Sequence, residues 1–216
     1  LSAAEFVHAT LVEGLGVRHL EVGDDFRFGC DRAGDFNFLL KAGAAEGFTV
    51  EAAATIEVDG ERVSSTRLRQ VLAAGDLQLS EKLLGRPFSI TGRVMHGQAL
   101  GRQLGAPTAN IQLKRKNTPL SGVFMVSTEV DGVVQPAVAN IGMRPSVESD
   151  GQPHLEVHLL NFQGDLYGRL LRVTFHLRLR DEQRFASLEA LKTAIEADIA
   201  AAREYWRASP FTTSQG

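Results

Sequence analysis

Hydrophobic and polar positions follow two different rhythms along this chain, and the change falls near residue 85. Before it, stretches of helical period alternate with short stretches of period two. Ser2-Ala-Ala-Glu5 forms a capping box, in which a hydroxyl and a carboxylate satisfy the first free N–H groups of a helix. Phe6, Leu11, Val12 and Leu15 then recur near helical spacing, with Gly16 as the expected stop. Residues 17–22 alternate as a strand does, and the loop "GDDFRFGCDRAGD" follows. A helix is expected over 36–46 with Asp35 as its cap, then a β-rich stretch over 48–58 and a turn at Gly60. Ser64 or Ser65 can cap a helix reaching Ala74, and a second short helix is expected around 77–84. Strand and helix in alternation favour a parallel α/β layer.

After "GRPF" the segments read as strands with short turns, over 89–95, 122–130, 133–140, 155–161 and 170–179. Strands at this density, with no helix between them, suggest an antiparallel barrel or a sandwich. Ser187 opens a final helix whose apolar face is expected to run through Leu188, Leu191, Ile195 and Ile199, and Tyr205 and Trp206 are expected to cover an edge of the sheet. The expected organisation is therefore an α/β domain over 1–84 and a β domain with a C-terminal helix over 85–216.

Composition narrows the picture only a little. A length of 216 residues allows one large domain or two small ones with real cores. A net charge of −3 gives no basic footprint, so no nucleic-acid partner is expected. The single cysteine, Cys30, leaves no disulfide framework and no cysteine zinc site, and fits a reducing, cytoplasmic compartment. No apolar run approaches the roughly 18 residues of a membrane span, so no membrane partner is expected. "LSAAEFVHAT" does not read as a signal peptide, and its immediate entry into a helix signal suggests that further sequence precedes it. The six histidines show no zinc-protease spacing, and no histidine metal site is expected.

Four stretches could carry chemistry. In "HGQALGRQLGAPTAN", glycines let backbone N–H groups approach phosphate oxygens, Arg102 could neutralise charge, and Thr108 and Asn110 offer hard oxygen ligands two residues apart. The same residues are also an ordinary glycine-rich turn between strands. In "HLEVHLL", Glu156 and His158 share one face of a strand, where the carboxylate is either a positioned base or part of a solvated surface. "GDDFRFG" follows a strand end, where α/β sheets bind ligands, and is equally a solvated turn. "VSSTRLR" sets hydroxyls at a helix start with arginines one turn on, which is either an anion site or a capped helix with a basic face.

Taken together, "GDDFRFG", "VSSTRLR", "GRVMHGQALGRQLGAPTAN", "VANIGMRPSV", "LEVHLLNF", "DLYG" and "LRDEQRFASLEAL" resemble, in order, the bacterial bifunctional riboflavin kinase/FMN adenylyltransferase family. The resemblance implies a partial Rossmann-like nucleotidyltransferase layer followed by a six-stranded antiparallel β-barrel with a C-terminal helix. It implies ATP and Mg²⁺ as cofactors and riboflavin and FMN as substrate and product. In the barrel, Gly92, His96, Gly97, Gly101, Arg102, Gly105 and Pro107 would wrap the nucleotide phosphates, with Thr108 and Asn110 at Mg²⁺. Glu156 would take the proton of the riboflavin 5′-hydroxyl, and Arg180, Glu182 and Phe185 would lie near the flavin. In the first part, Gly23, Asp24, Asp25, Phe26, Phe28 and Gly29, with Ser65, Thr66 and Arg69, would be the adenylyltransferase residues. That activity also requires an H-x-G-H signature, which these residues lack, so the expectation is a chain that starts inside its first module and makes FMN without FAD. Smaller departures are Ala106 where the family carries a bulkier residue, and Ser146 after Arg144-Pro145 where it carries threonine.

Overall fold

A computed structural model describes residues 1–23, 25–97, 101, 104–114, 117–143 and 153–208. They fall into two compact units, Leu1–Val63 and Ser64–Gly216.

The first unit opens with α1 (Ala3–Glu5), which runs on as a π-helical segment, Phe6–Gly14. Both halves of the capping box are formed: the Ser2 amide donates to Glu5 at 2.7 Å and the Glu5 amide donates to Ser2 Oγ at 3.2 Å. The Ser2 hydrogen bonds hold the Glu5 carboxyl below its usual range. The expected strand is shorter than its alternation, β1 (His19–Val22), and pairs in parallel with β2 (Thr49–Ala52). Between them α2 (Phe36–Glu46) starts on Asp35, whose carboxylate accepts from the Phe38 amide at 2.8 Å, and stops at Gly47 in the left-handed region. The strand–helix–parallel strand order is the α/β layer the pattern predicted. Its core gathers Val7, Leu11, Phe28, Leu39 and Phe48, whereas Leu15 stands exposed past the helix end. A two-residue hairpin, β3 (Glu57–Val58) and β4 (Glu61–Arg62), closes the unit.

The second unit begins with α3 (Ser65–Ala74) and α4 (Leu77–Leu84). Ser64, not Ser65, caps α3, and Asp76 caps α4. Leu72 and Leu77 pack into the barrel core, and the second unit begins at Ser64, 21 residues before the boundary at 85 read from the pattern. The strands are β5 (Ser89–Met95), β6 (Ala109–Ile111), β7 (Gly122–Val130), β8 (Val133–Met143), β9 (Pro153–Leu159) and β10 (Leu170–Arg180). They close in the order β10-β5-β6-β9-β8-β7, every pair antiparallel, which settles barrel over sandwich. The β7–β8 turn is Asp131-Gly132, both at positive φ, the geometry a two-residue hairpin favours. Arg169 pairs with the Asp131 carboxylate and holds it below the usual carboxylate range.

Ile90, Val94, Ile111, Phe124, Val126, Leu155, Val157, Val173 and Phe175 fill the barrel. The outer face of β7 and β8 is also covered, by α5 (Leu188–Ala208). The buried stripe of α5 runs through Asp198, Ala202 and Trp206 rather than through Leu188, which is exposed. Leu191, Ile195 and Ile199 of the expected face are half-buried on the same side, and Asp198 ties it to β10 through an ion pair with Arg180 at 2.8 Å. Trp206 packs with Val123, Met125 and Val138, and sits edge-on to His176 at 5.1 Å.

Candidate functional site on the barrel surface

The expected base stands in the middle of a row of polar side chains. On β9 the buried Leu155 and Val157 point into the barrel, so the alternating His154, Glu156 and His158 face outward. Across the ladders Glu156 is paired with Asn110 of β6 on one side and with Asn140 of β8 on the other. Directly opposed residues on one face have Cβ atoms roughly 5 Å apart, so an amide flanks the carboxylate on each side. The backbone of Gly97 lies on the Asn110 amide, where a Cβ would collide with it. Strand pairing thus assembles Gly97, Asn110, Glu156 and Asn140, four residues separated by up to 59 positions in the chain.

The described part of the glycine-rich stretch, Gly101 and residues 104–110, folds back beside this row. The Ala106 amide donates to Gly101 O at 2.8 Å, and Ala106 is buried. A Cβ at Gly101 would meet Ala106 O and approach the Thr108 side chain to 3.3 Å. Gly105 sits at φ +85°, a conformation that favours glycine. The Nδ1–H of His158 donates to Pro107 O at 2.9 Å and fixes the segment to β9. At the other end, a Cβ at Gly92 would lie 2.5 Å from Gln112 O, so only glycine lets the two segments close. Arg102 lies outside the described residues, as do Arg144, Pro145 and Ser146.

Beside Thr108 opens a cavity of about 100 Å³ lined by Val94, Pro107, Phe162, Asp165 and Tyr167. His96 stacks on Tyr167 at 3.9 Å between ring centroids. Phe162, Asp165 and Tyr167 received no role from the sequence, although "DLYG" was one of its motifs; only the fold shows that this loop returns to the glycine turn.

Beyond β10, Glu182 lies across β8. Its carboxylate covers Gly142, accepts from Ser121 Oγ at 3.3 Å, and stands 3.7 Å from His154 Nε2. Arg180 is held differently: its guanidinium bonds Asp198 on α5 and sits 5.5 Å over the Phe185 ring. The described contacts of Arg180 and Phe185 are therefore within the fold. Asn140 is a residue the sequence did not single out. Its Nδ2 is 3.4 Å from His154 Nε2, and its buried Oδ1 has no hydrogen-bond partner among the described residues. Only the register of β8 against β9 reveals it.

The residues expected for nucleotidyl transfer are divided between the two units. Phe28 and Gly29 belong to the first unit's core, Phe28 packing on Phe6, Phe26 and Phe38, and Gly29 leaving no room for a Cβ beside Ala3. Gly23 O accepts from the Phe26 amide, and Asp25 pairs with Arg62 at 3.3 Å. Asp24 is outside the described residues. Ser65, Thr66 and Arg69 are exposed on the first turns of α3, in the second unit. Among the described residues no group of three or more His, Cys, Asp or Glu is arranged to hold a metal, and no helix is long and apolar enough to cross a membrane.

Residues 84–206 match the family model described as riboflavin kinase. The chain belongs to the riboflavin kinase family. Residues 1–67 match the model described as FAD synthetase. The bifunctional riboflavin kinase/FMN adenylyltransferase of Pseudomonas fluorescens is 69% identical over 203 residues, which cover 94% of this chain and 65% of that protein. The protein of the same name from Escherichia coli K12 is 50% identical over 209 residues, covering 95% and 66%. The chain thus spans about two thirds of the length of these relatives. Among solved structures, one titled macrolide-efflux protein from Streptococcus pneumoniae superposes with a TM-score of 0.70 at 32% identity, over 94% of this chain and 65% of the other.

Proposed function

We propose that this family member transfers the γ-phosphate of ATP to the 5′-hydroxyl of riboflavin, giving FMN and ADP, on the outer face of the barrel. The observation that carries this reading is the register that sets Glu156 between Asn110 and Asn140, with the Gly97 backbone against Asn110. Glu156 takes the hydroxyl proton as the oxygen attacks phosphorus, and the ADP oxygen leaves. Such a transfer asks mainly for alignment and charge neutralisation. Strand-borne groups flanked by paired neighbours supply the alignment.

The nucleotide base fits the cavity beside Thr108, where Phe162 and Tyr167 offer apolar and aromatic walls. The phosphates then run along the glycine turn toward Asn110. The Thr108 hydroxyl and the Asn110 amide oxygen are hard donors that suit Mg²⁺ carried with ATP, and the ion supplies charge neutralisation for the phosphates. On the other side, Glu182 over Gly142 lies two residue pairs, roughly 7 Å, along the strand from the level of Glu156. That separation matches a ribityl chain running from a flavin ring near Glu182 to its 5′-oxygen at Glu156. Residues 85–216 are the kinase module in this reading, and 1–84 belong to an FMN adenylyltransferase module like that named in the relatives. A cytoplasmic setting, in which the lone Cys30 stays a thiol, is part of the same proposal.

The test is to incubate the purified chain with riboflavin, ATP and Mg²⁺ and separate the flavins. FMN formation is expected. A folded chain that binds riboflavin and ADP but forms no FMN would overturn the reading in favour of a binding module.

A further inference from the structure

We propose that Arg178 is a positioning residue for the flavin side of the site: it fixes Glu182 from both flanks and ties that carboxylate to the last turn of α3. The inference rests on the kinase reading above, in which Glu182 faces the flavin.

Arg178 sits in a built socket. Its Nη2 donates to Ser121 O at 3.0 Å and pairs with Asp181 Oδ1 at 2.5 Å, while Nη1 donates to Ala74 O at 3.4 Å. Ser121 is the residue whose hydroxyl donates to Glu182, and Asp181 is the residue before Glu182. One guanidinium therefore holds the chain immediately before Glu182 and the loop that hydrogen-bonds its carboxylate. A planar fork can satisfy such divergent acceptors where a single ammonium cannot.

The backbone around this side chain is shaped to admit it. Gly75 and Gly122 are both at positive φ, and a Cβ at Gly75 would lie 2.7 Å from Arg178 Cδ, one at Gly122 3.3 Å from Arg178 Nε. The guanidinium stands 6.0 Å from the centre of the Phe124 ring at the barrel end. Along β10 the pairing with β7 shifts register between Phe175 and Leu177 and again between Arg178 and Arg180. Irregularities of this kind re-aim side chains, and here they bracket the one that is clamped. The Ala74 carbonyl it reaches is among the last of α3, where a cation also complements the helix dipole. Movement of α3 would therefore reach Glu182 through Arg178.

The test is steady-state kinetics of the whole chain for R178A, R178K and E182Q and for R178A combined with E182Q. R178A should raise KM for riboflavin about tenfold while KM for ATP stays within about twofold, since one hydrogen-bonded anchor of a substrate contact is lost. R178K, which retains the charge and keeps the variant comparison open if R178A folds poorly, should recover part of the loss. In the E182Q background R178A should add nothing, because its effect passes through Glu182. An unchanged KM for riboflavin, equal rises in both KM values, or full additivity with E182Q would each overturn the inference while leaving the kinase reading intact. A wild-type chain that forms no FMN would overturn both.

Discussion

The barrel and the two-stranded layer use the same alternation of residues to different ends. On β9 every second residue, Pro153, Leu155, Val157 and Leu159, is buried, and the intervening polar side chains are half-buried on a face flanked by strands on both sides. On β1 and β2 no residue is fully buried, and each strand has a single partner among the described residues. The layer relies instead on its helices and on Phe28, Leu39 and Phe48. Closure leaves the barrel without a free edge, so side chains on its outer face are held at fixed separations by backbone pairing. Chemistry that depends on separations of a few ångströms belongs on such a frame. Two of the residues expected for phosphate transfer, Asn110 on β6 and Glu156 on β9, meet across such a ladder.

The comparison can be broken by mutation. Phe124→Ala empties a side chain that is 0% exposed in the barrel, and should cost about 3–5 kcal/mol of the second unit's stability. Hydrogen exchange should show that loss in β5–β10 and spare β1 and β2. Asp198→Ala leaves the Arg180 guanidinium without its partner under α5 and should cost about 3 kcal/mol, read in the same unit by denaturant unfolding. Leu20→Ala, on a half-buried position of the open layer, should cost about 1 kcal/mol and leave barrel exchange unchanged. A loss in the barrel as large as that of Phe124→Ala would end the distinction.

The smallest effect is a pH dependence. Burial pushes the His176 imidazole below its ordinary value, against Trp206 and with Ser127 Oγ at 2.8 Å. The folded state therefore disfavours the proton that the unfolded chain accepts. Stability is full above the unfolded value near 6.5 and is lost as pH falls through the lower folded one. His176→Gln should flatten the slope of barrel stability between pH 7 and pH 5; a slope that survives the change would assign it to other groups.

Much of this architecture was legible because local rules decide it. The strands at 89–95 and 122–130 and the caps at Ser2, Asp35 and Ser187 follow from alternation and from side-chain oxygens placed before helices. The three-residue β6 was not legible, since it is too short to show a period and follows a glycine-rich turn. Barrel and sandwich share one local pattern, and only the pairing of β10 with both β5 and β7 separates them. At the site, Glu156, Thr108 and Asn110 came from motifs, but Asn140, His154 and Ser121 depend on register and on a chain reversal that no local spacing encodes. Arg180 shows the converse: a motif arginine whose partner, Asp198, lies 18 residues away on α5.

The most direct test of the central claim is the turnover of Glu156→Gln beside wild type, with riboflavin affinity and melting temperature measured on the same preparations. Glutamine keeps the shape between Asn110 and Asn140 and removes the proton acceptor. The expected result is a fall in kcat of at least about 100-fold with the fold and flavin binding retained. Wild-type turnover in the glutamine variant would contradict the assignment of the base, and with it the claim that this row of strand residues is where phosphate is transferred.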